Sequence, residues 1–287
     1  MIGGLMEFSP QSSSRRVTGF LLAFSVLFAI AFQNRLFTLW NLWMQDPLYS
    51  VGAIVPIVSI LLVWRKRHQL ELLVQNPNPL GLVFLLIASL GANVLPSTGL
   101  LFAVYWTGVT LVMGGSRLAR ELWFPLGLLL FVIPIPTAIV STYNYPLQIL
   151  SANVTATMAK VAGISVIQEG PILRLPNAQL TVAPECNGLR TLAGLLLIGL
   201  LAGYFSQGPL ISRLFLPVLT VPTAYLVNFI RLFLDVLLVN ALSSSFWLQY
   251  ERTYDLTIGL ITFVIACMLF AKLIVLLKCR LSFEVSH

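Results

Sequence analysis

Apolar runs separated by short polar connections dominate this 287-residue chain and constrain its fold more than any other feature. Hydrophobic residues make up 58% of the chain and charged residues only 9%, which excludes an ordinary soluble domain. A helix of about 20 apolar residues crosses a bilayer, so these runs predict transmembrane helices. The eight runs lie at about Val17–Phe32, Pro47–Trp64, Leu80–Leu95, Leu100–Gly115, Leu122–Val140, Leu189–Phe205, Leu214–Asn240 and Leu256–Leu277. The sequence therefore predicts an all-α polytopic membrane protein with about eight transmembrane helices, in which residues 1–287 form a single domain.

Positive charges mark one side of this predicted membrane domain. The lysines and arginines that flank the runs are Arg15, Arg16, Arg65, Lys66, Arg67, Arg117, Arg120, Arg213, Lys278 and Arg280. In an eight-span arrangement all of them fall on the same side, which the positive-inside rule assigns to the cytoplasm. We therefore expect both termini inside, in a plasma (inner) membrane, and the net charge of +7 requires no nucleic-acid partner.

The first run also fits a cleaved secretory signal. Arg15 and Arg16 lead into an apolar core that ends at Ala29–Ala31. Seven apolar runs still follow, and an uncleaved anchor accounts for the charge asymmetry without a further assumption.

One long connection, residues 141–185, lies on the non-cytoplasmic side of the predicted membrane. Apolar residues in its first half recur at three- and four-residue spacing, which predicts an amphipathic helix at the interface. They are Leu147, Leu150, Val154, Met158 and Val161. Glycine and proline then separate three short segments, which predicts a small β-hairpin before the sixth helix. The segments are Ile164–Ile167, Ile172–Leu175 and Gln179–Val182.

The connection leads into Pro184–Arg190, which places the thiol of Cys186 immediately before the sixth apolar run. Unpaired N–H groups at a helix N-terminus stabilise thiolates. If the helix starts near Cys186, Arg190 faces the same side of it four residues later. The structural alternative is that Cys186 is simply a small buried residue.

Cys186 is predicted to be a lone thiol on the outer side of the membrane. Cys267 lies about 18 Å below the outer end of the eighth helix, and Cys279 lies at its cytoplasmic end. A disulfide needs Cα atoms within about 7 Å, so none is expected. The only histidines, His68 and His287, fall on the cytoplasmic side, so we expect no metal at the outer face. The sequence also lacks a Gly-rich phosphate loop, and no cofactor is predicted.

Polar residues interrupt the seventh run at Asn228 and Arg231, and Asp235 follows one turn later. An arginine about 14 Å below the outer end of a span is costly in hydrocarbon, so it should face a cavity or a partner. The three side chains share a helix face that points toward the leaflet of Cys186. An Arg231–Asp235 ion pair that locks two helices together explains the same residues equally well.

These residues together resemble the exosortase and archaeosortase family of membrane cysteine transpeptidases. Val182–Arg190 is similar to the family's cysteine-small-Gly-Leu-Arg motif, Asn228–Arg231 to its Asn-x-x-Arg motif, and Asp255–Gly259 to its third block. Weaker similarities extend the resemblance over most of the chain. The chain departs from the pattern at Asp255, where exosortases usually have histidine and archaeosortases have arginine.

The resemblance implies an intramembrane cysteine protease and transpeptidase that acts on PEP-CTERM-type sorting signals. Its partners would be exported proteins, embedded in membrane lipid, that end in a Pro-containing motif, one transmembrane helix and a basic tail. The enzyme would cleave near the motif, on the non-cytoplasmic side, and transfer the new C-terminus to an acceptor.

The resemblance also implies roles for individual residues. The implied catalytic residues are Cys186 as nucleophile, Arg231 as electrostatic partner and Asp255 as third group, and the implied substrate-binding residues are Arg190, Asn228 and Asn187. Arg190 fits an interfacial anchor equally well.

Two other classes of protein are compatible with the composition. A transporter or flippase would line a polar pathway with Arg231 and Asp235, leaving Cys186 incidental. Because the polar residues gather at one leaflet and other spans carry few ionisable groups at depth, the enzyme is favoured. A scaffold that assembles an export complex has no positive sequence feature beyond hydrophobicity.

Overall fold

The computed structural model describes residues 10–67, 70, 77–92, 94–95, 97–133, 135–176, 178–241, 244–277 and 280–281. Side chains are described except at residues 10–18, 185, 244–256 and 280–281. The chain is mostly helical and divides into two compact units. The first comprises the described parts of Met1–Asp46 and Ser50–Pro134, and the second those of Pro47–Tyr49 and Ile135–Glu284. The assignment of residues 1–287 to one domain stays a prediction.

The first unit is built from helices and short 3-10 turns. Its helices are α1 (Pro10–Ala31), α2 (Gln33–Gln45), α3 (Ile54–Arg65), α4 (Leu80–Gly91), α5 (Thr98–Glu121) and α6 (Trp123–Leu128), with 3-10 turns at Ser50–Ala53 and Leu129–Val132. Aromatic rings join α1 to α5, because Phe28 packs edge-on against Phe102 with ring centres 4.8 Å apart. An edge-to-face pair of aromatic rings stabilises the contact beyond the burial of apolar surface alone.

The second unit carries the candidate functional residues. Its helices are α7 (Thr137–Val161), α8 (Leu189–Phe205), α9 (Leu210–Ala241) and α10 (Ser244–Leu276). Its strands are β1 (Ile167–Glu169), β2 (Ile172–Arg174), β3 (Gln179–Thr181), β4 (Ser206–Gln207) and β5 (Arg280–Leu281), with a 3-10 turn at Pro184–Cys186. Helices α7, α8 and α10 all pack against α9, so α9 organises this unit.

Membrane-spanning capacity is more limited than the eight predicted crossings. Among the described residues, three helices are long and apolar enough to cross a membrane: Thr98–Glu121, Leu210–Ala241 and Thr257–Leu276. The number rises to five if two pairs of consecutive helices each count as one span: Gly19–Ala31 with Gln33–Gln45, and Trp123–Val132 with Thr137–Val161. Three further apolar helices are shorter: Ser50–Arg65, Leu80–Gly91 and Leu189–Phe205. Each predicted run thus corresponds to apolar helical structure, but eight transmembrane helices are not confirmed.

The predicted fifth run, Leu122–Val140, is divided between two helical segments. The first ends with the 3-10 turn at Val132, and α7 begins at Thr137. Pro136 precedes α7 with ψ of 136°, well outside the helical range. Proline lacks the N–H that a continuous helix would use, so Pro136 accounts for the position of the break.

The predicted apolar stripe of α7 is exposed in part. Val161 is 87% exposed and Leu150 is 47% exposed, whereas Leu147, Val154 and Met158 are partly buried. The buried residues are small or polar: Gln148, Ser151, Ala152, Thr155, Ala156 and Ala159. In a membrane, small residues let helices approach closely while apolar side chains face lipid. The face of α7 that packs most closely thus consists of small and polar residues, and the interfacial position of the helix stays a prediction.

The predicted β-hairpin is present and carries a third strand. Strands β1, β2 and β3 form an antiparallel sheet in that order, with Glu169 opposite Ile172 and Leu173 opposite Leu180. Leu173 and Leu180 are buried with residues of α7 and α9 in one apolar cluster. The sheet therefore packs against α7 and α9, next to the turn that leads into α8.

Helix α8 packs tightly against α9 around Gly199. A Cβ atom at Gly199 would lie 2.6 Å from Cγ2 of Thr220 and 3.1 Å from Cα of Pro217. Arg213 closes the C-terminal end of α8, because its Nε and Nη2 donate to the Gly203 and Tyr204 carbonyls at 3.0 Å and 3.3 Å. The last carbonyls of a helix lack intrahelical partners, so this contact satisfies them.

We predict that Gly199→Ala destabilises the protein by about 1–3 kcal/mol, because the new methyl group must displace Thr220 or the α9 backbone. Gly127→Ala is the matched control, since a Cβ atom there meets nothing within 4 Å. Unfolding midpoints of the purified proteins in detergent measure the difference. Equal midpoints for the two variants would contradict the close packing of α8 on α9.

Candidate active site

Cys186 is the last residue of the 3-10 turn that joins β3 to α8. Its N–H donates to the Ala183 carbonyl at 2.9 Å, and Cys186 packs against the apolar cluster between α7 and α9. The side chain is partly buried and is a thiol rather than half of a disulfide. Cys267 is also a thiol, and Cys279 lies outside the described residues.

Gly188 separates the cysteine turn from α8. Its φ of +90° lies in the left-handed region, and a Cβ atom there would be 3.2 Å from the Tyr225 ring and 3.4 Å from Cγ of Asn228. Both the conformation and the close approach favour glycine. Helix α8 consequently begins at Leu189, the first residue of the predicted run. Cys186 lies three residues before it, so the condition that the helix starts near Cys186 is not met.

Arg190 lies on the first turn of α8, and it is exposed. Because the left-handed residue Gly188 intervenes, a spacing of four residues does not place Arg190 and Cys186 on one helix face. Within the described part of the chain no hydrogen bond joins the two side chains. The role of Arg190 in substrate binding stays a prediction.

Arg231 brings a guanidinium to the thiol from the middle of α9. Its side chain is buried, and Nη2 donates to Sγ of Cys186 across 3.5 Å. Helix α10 passes this guanidinium at Gly259, where a Cβ atom would lie 3.9 Å from Cζ of Arg231. The structure thus places together two residues, distant in sequence, that the sequence analysis assigned to one site.

Asn228 holds the backbone of the cysteine. Its Nδ2 donates to the carbonyl oxygen of Cys186 at 2.9 Å, and the side chain is 1% exposed. Residues three apart on a helix are neighbours, so Asn228 and Arg231 reach the turn from the same face of α9. Oδ1 of Asn228 is buried and accepts no hydrogen bond from the described residues.

Both the oxygen and the nitrogen of the Asn187 side-chain amide form hydrogen bonds. Oδ1 accepts the N–H of Leu189 at 2.9 Å, and Nδ2 donates to Oδ1 of Asn144 on α7 at 2.6 Å. The side chain is 2% exposed. Its predicted substrate contact stays a prediction, whereas its contact with Asn144 was not anticipated from the sequence. The polar positions Asn144 and Gln148, one turn apart, are the signal that could have indicated a polar face on α7.

The two carboxylates of the predicted site lie on different helices. Asp235 is buried on α9, one turn beyond Arg231. Asp255 belongs to α10, one turn before Gly259, and its side chain lies outside the described residues. The catalytic role predicted for Asp255 therefore stays a prediction.

A thiol beside a buried guanidinium has a defined chemical capacity. The positive charge stabilises a thiolate, which is the nucleophilic form of cysteine, and it also stabilises an oxyanion formed by attack on a carbonyl. No group of three or more metal-ligating side chains is assembled in the described residues. The fold and the site define a helical membrane protein with a cysteine–arginine pair suited to acyl transfer.

The sequence profile of the transmembrane exosortase family matches residues 43–271. The match covers most of the chain and includes the Cys186 turn, α9 and nearly all of α10. The chain therefore belongs to the transmembrane exosortase family, a family of cysteine-type transpeptidases. Comparison with curated proteins and with solved structures gave no match.

We predict that Arg231→Met slows alkylation of Cys186 at neutral pH by at least about threefold, because the positive charge that stabilises the reactive thiolate is lost. The rate is measured with iodoacetamide in a background in which the other two cysteines, Cys267 and Cys279, are replaced by alanine.

Arg190→Met is the matched control for this prediction. It removes one positive charge close to Cys186 in sequence, but the structure shows no bond between the side chains, so we expect a rate near that of the parent. Equal slowing by both substitutions would contradict a specific effect of Arg231.

Proposed function

We propose that this protein is an intramembrane cysteine protease and transpeptidase that cleaves a C-terminal sorting signal and transfers the new C-terminus to an acceptor. The observation that carries the proposal is the 3.5 Å contact between Nη2 of Arg231 and Sγ of Cys186. The hydrogen bond from Asn228 to the Cys186 carbonyl supports it, because the reacting residue is held in place as well as activated.

The first chemical step forms an acyl-enzyme. The Cys186 thiolate bonds to the carbonyl carbon of the scissile peptide while the carbonyl π electrons move onto oxygen, where Arg231 stabilises the negative charge. Collapse of this oxyanion breaks the C–N bond, and the leaving nitrogen takes up the proton that the thiol released. The product is a thioester between Cys186 and the new C-terminus.

The second step releases the processed protein. Water, or an amine or hydroxyl group of the acceptor, attacks the thioester carbonyl carbon. It releases one proton, which replaces the proton that the leaving nitrogen took up in the first step. The C–S bond then breaks, and the cysteine is regenerated. When the acceptor is not water, the overall reaction exchanges one bond at the carbonyl for another.

Asp255 is the proposed third group. Its helix passes Arg231 at Gly259, and Asp255 precedes Gly259 by one turn, which puts the two residues on the same helix face. A carboxylate here can orient the guanidinium or carry the proton between thiol, leaving group and acceptor.

The proposed substrates are exported proteins that end in a Pro-containing motif of the PEP-CTERM type, a transmembrane helix and a basic tail. A substrate of this form enters laterally from the membrane, which explains a site built on helices within an apolar chain. Arg190, Asn187 and the buried Oδ1 of Asn228 are the proposed polar contacts for the motif. We place the site on the non-cytoplasmic side of a plasma membrane, with eight crossings and both termini inside.

The enzyme is better supported than a transporter or flippase. In a transporter, Arg231 would be expected to face a polar pathway through the membrane. Its donation to a thiol whose backbone is fixed by Asn228 instead favours covalent chemistry at Cys186.

We predict that Cys186→Ala abolishes processing of a co-expressed protein with such a tail, because the nucleophile is lost. Cys267→Ala is the matched control, since that thiol lies on α10 among apolar residues and should be dispensable. Arg231→Lys keeps the positive charge but loses the planar guanidinium, and we expect processing to fall at least about tenfold. Processed and unprocessed substrate are separated by electrophoresis, and undiminished processing by Cys186→Ala would contradict the nucleophile assignment.

We predict that Asp255→Asn leaves membrane accumulation near normal and lowers turnover at least about tenfold. Asparagine has the size and a hydrogen-bond acceptor of aspartate but is neither charged nor basic, so a loss of turnover reports on proton transfer or on orientation of Arg231. Glu251→Gln, one turn earlier on α10, is the control. Normal turnover by Asp255→Asn with reduced turnover by Glu251→Gln would move the third role to Glu251.

A further inference from the structure

We propose that Asn144 on α7 is a positioning residue that fixes Cys186 at its distance from Arg231. The inference rests on the proposed function, and it names a residue of α7 that acts on the nucleophile through Asn187 and does not contact the reacting atoms itself.

The connection runs through the residue that follows the cysteine. Nδ2 of Asn187 donates to Oδ1 of Asn144 at 2.6 Å, while Oδ1 of Asn187 accepts the N–H of Leu189 at 2.9 Å. One amide thus ties the cysteine turn both to α7 and to the first residue of α8. Because Asn187 is 2% exposed, water cannot readily replace a lost partner.

Asn144 is held in the orientation that this contact needs. Its Oδ1 accepts a second hydrogen bond, from Nε2 of Gln148 at 3.0 Å. Gln148 lies one turn further along α7 and is buried, so both residues belong to the polar part of the packed face. A carbonyl-type oxygen has two lone pairs, and here both are used. An apolar side chain cannot supply this acceptor.

The cysteine turn is therefore held from two helices. Asn228 on α9 binds the carbonyl of Cys186, and Asn144 on α7 binds the side chain of the next residue. With the α7 contact removed, the turn can pivot about the Asn228 contact, and the distance from sulfur to Nη2 of Arg231 increases. A displacement of about 1 Å at a reacting atom can cost about a hundredfold in rate, so even a partial shift is measurable.

The test compares substitutions on α7 in the full-length protein in membranes. We expect Asn144→Leu to lower kcat about tenfold, because the nucleophile is displaced from Arg231. Alkylation of Cys186 by iodoacetamide should slow as well. Asn153→Leu is the same substitution at an exposed position of the same helix and should leave both values unchanged.

A conservative variant separates positioning from general damage. Asn144→Asp keeps an oxygen that accepts from Asn187 and Gln148, so we expect at least about half of the lost kcat to return. Asn144→Ala removes the acceptor without added bulk and replaces Asn144→Leu if that protein fails to accumulate. Wild-type kcat and alkylation rate in the variants that lack the acceptor would overturn the proposal, as would an Asn144→Asp variant no better than Asn144→Leu.

A double-mutant cycle tests the route through Asn187. If Asn144 acts through that residue, Asn144→Leu should slow alkylation in the wild-type background but have little further effect in an Asn187→Ala background. Full additivity would contradict the route.

The alkylation readout also keeps the two proposals distinguishable. If no peptide bond is cleaved by the wild-type protein but Asn144→Leu still slows alkylation, the proposed function fails and the positioning role stands. If Cys186→Ala abolishes processing while Asn144→Leu has no effect on kcat or alkylation, the positioning role alone fails.

Discussion

The contact between the Arg231 guanidinium and the Cys186 thiol is the interaction on which the rest of the site depends. A charged side chain within an apolar helix is costly unless polar groups compensate for lost hydration, and Arg231 is buried in α9, which is long and apolar enough to cross a membrane. The same burial strengthens its field at the sulfur, because water screens the charge less there. Burial of Arg231 therefore costs hydration free energy and also strengthens its interaction with the sulfur.

One glycine and two amides let separate chain segments converge on this contact. Gly188 allows the cysteine turn to approach α9, and α10 passes the guanidinium at Gly259. Asn228 and Asn144 then fix the turn from two helices. A reactive thiol within a mostly apolar protein thus owes its position to short-range polar contacts, while apolar packing holds the helices that supply them.

The sequence predicts the helices better than it predicts their contacts. Apolar runs locate helical segments because burial in lipid demands apolar residues, but run length does not distinguish a full crossing from a shorter helix. Cys186, Asn228 and Arg231 were predicted to share a site because the helical spacing and the family motifs agree. Asn144 escaped prediction, because it belongs to none of the motifs that link Cys186 to Arg231, and the sequence alone does not show that it contacts Asn187. The sixth run was predicted to begin at Leu189, where α8 does begin, but the left-handed conformation of Gly188 that separates Cys186 from the helix is not evident from the sequence pattern.

Detection of a thioester at Cys186 is the most direct test of the proposal that this cysteine is the nucleophile. Purified protein is mixed with a tailed substrate, quenched in acid within the first turnover and analysed by peptide mass spectrometry. We predict that the peptide containing Cys186 carries the new C-terminal segment of the substrate, that hydroxylamine releases this segment, and that Arg231→Lys lowers the yield of the adduct. Complete processing with no adduct at Cys186 at any time point, or an adduct at another residue, would contradict it.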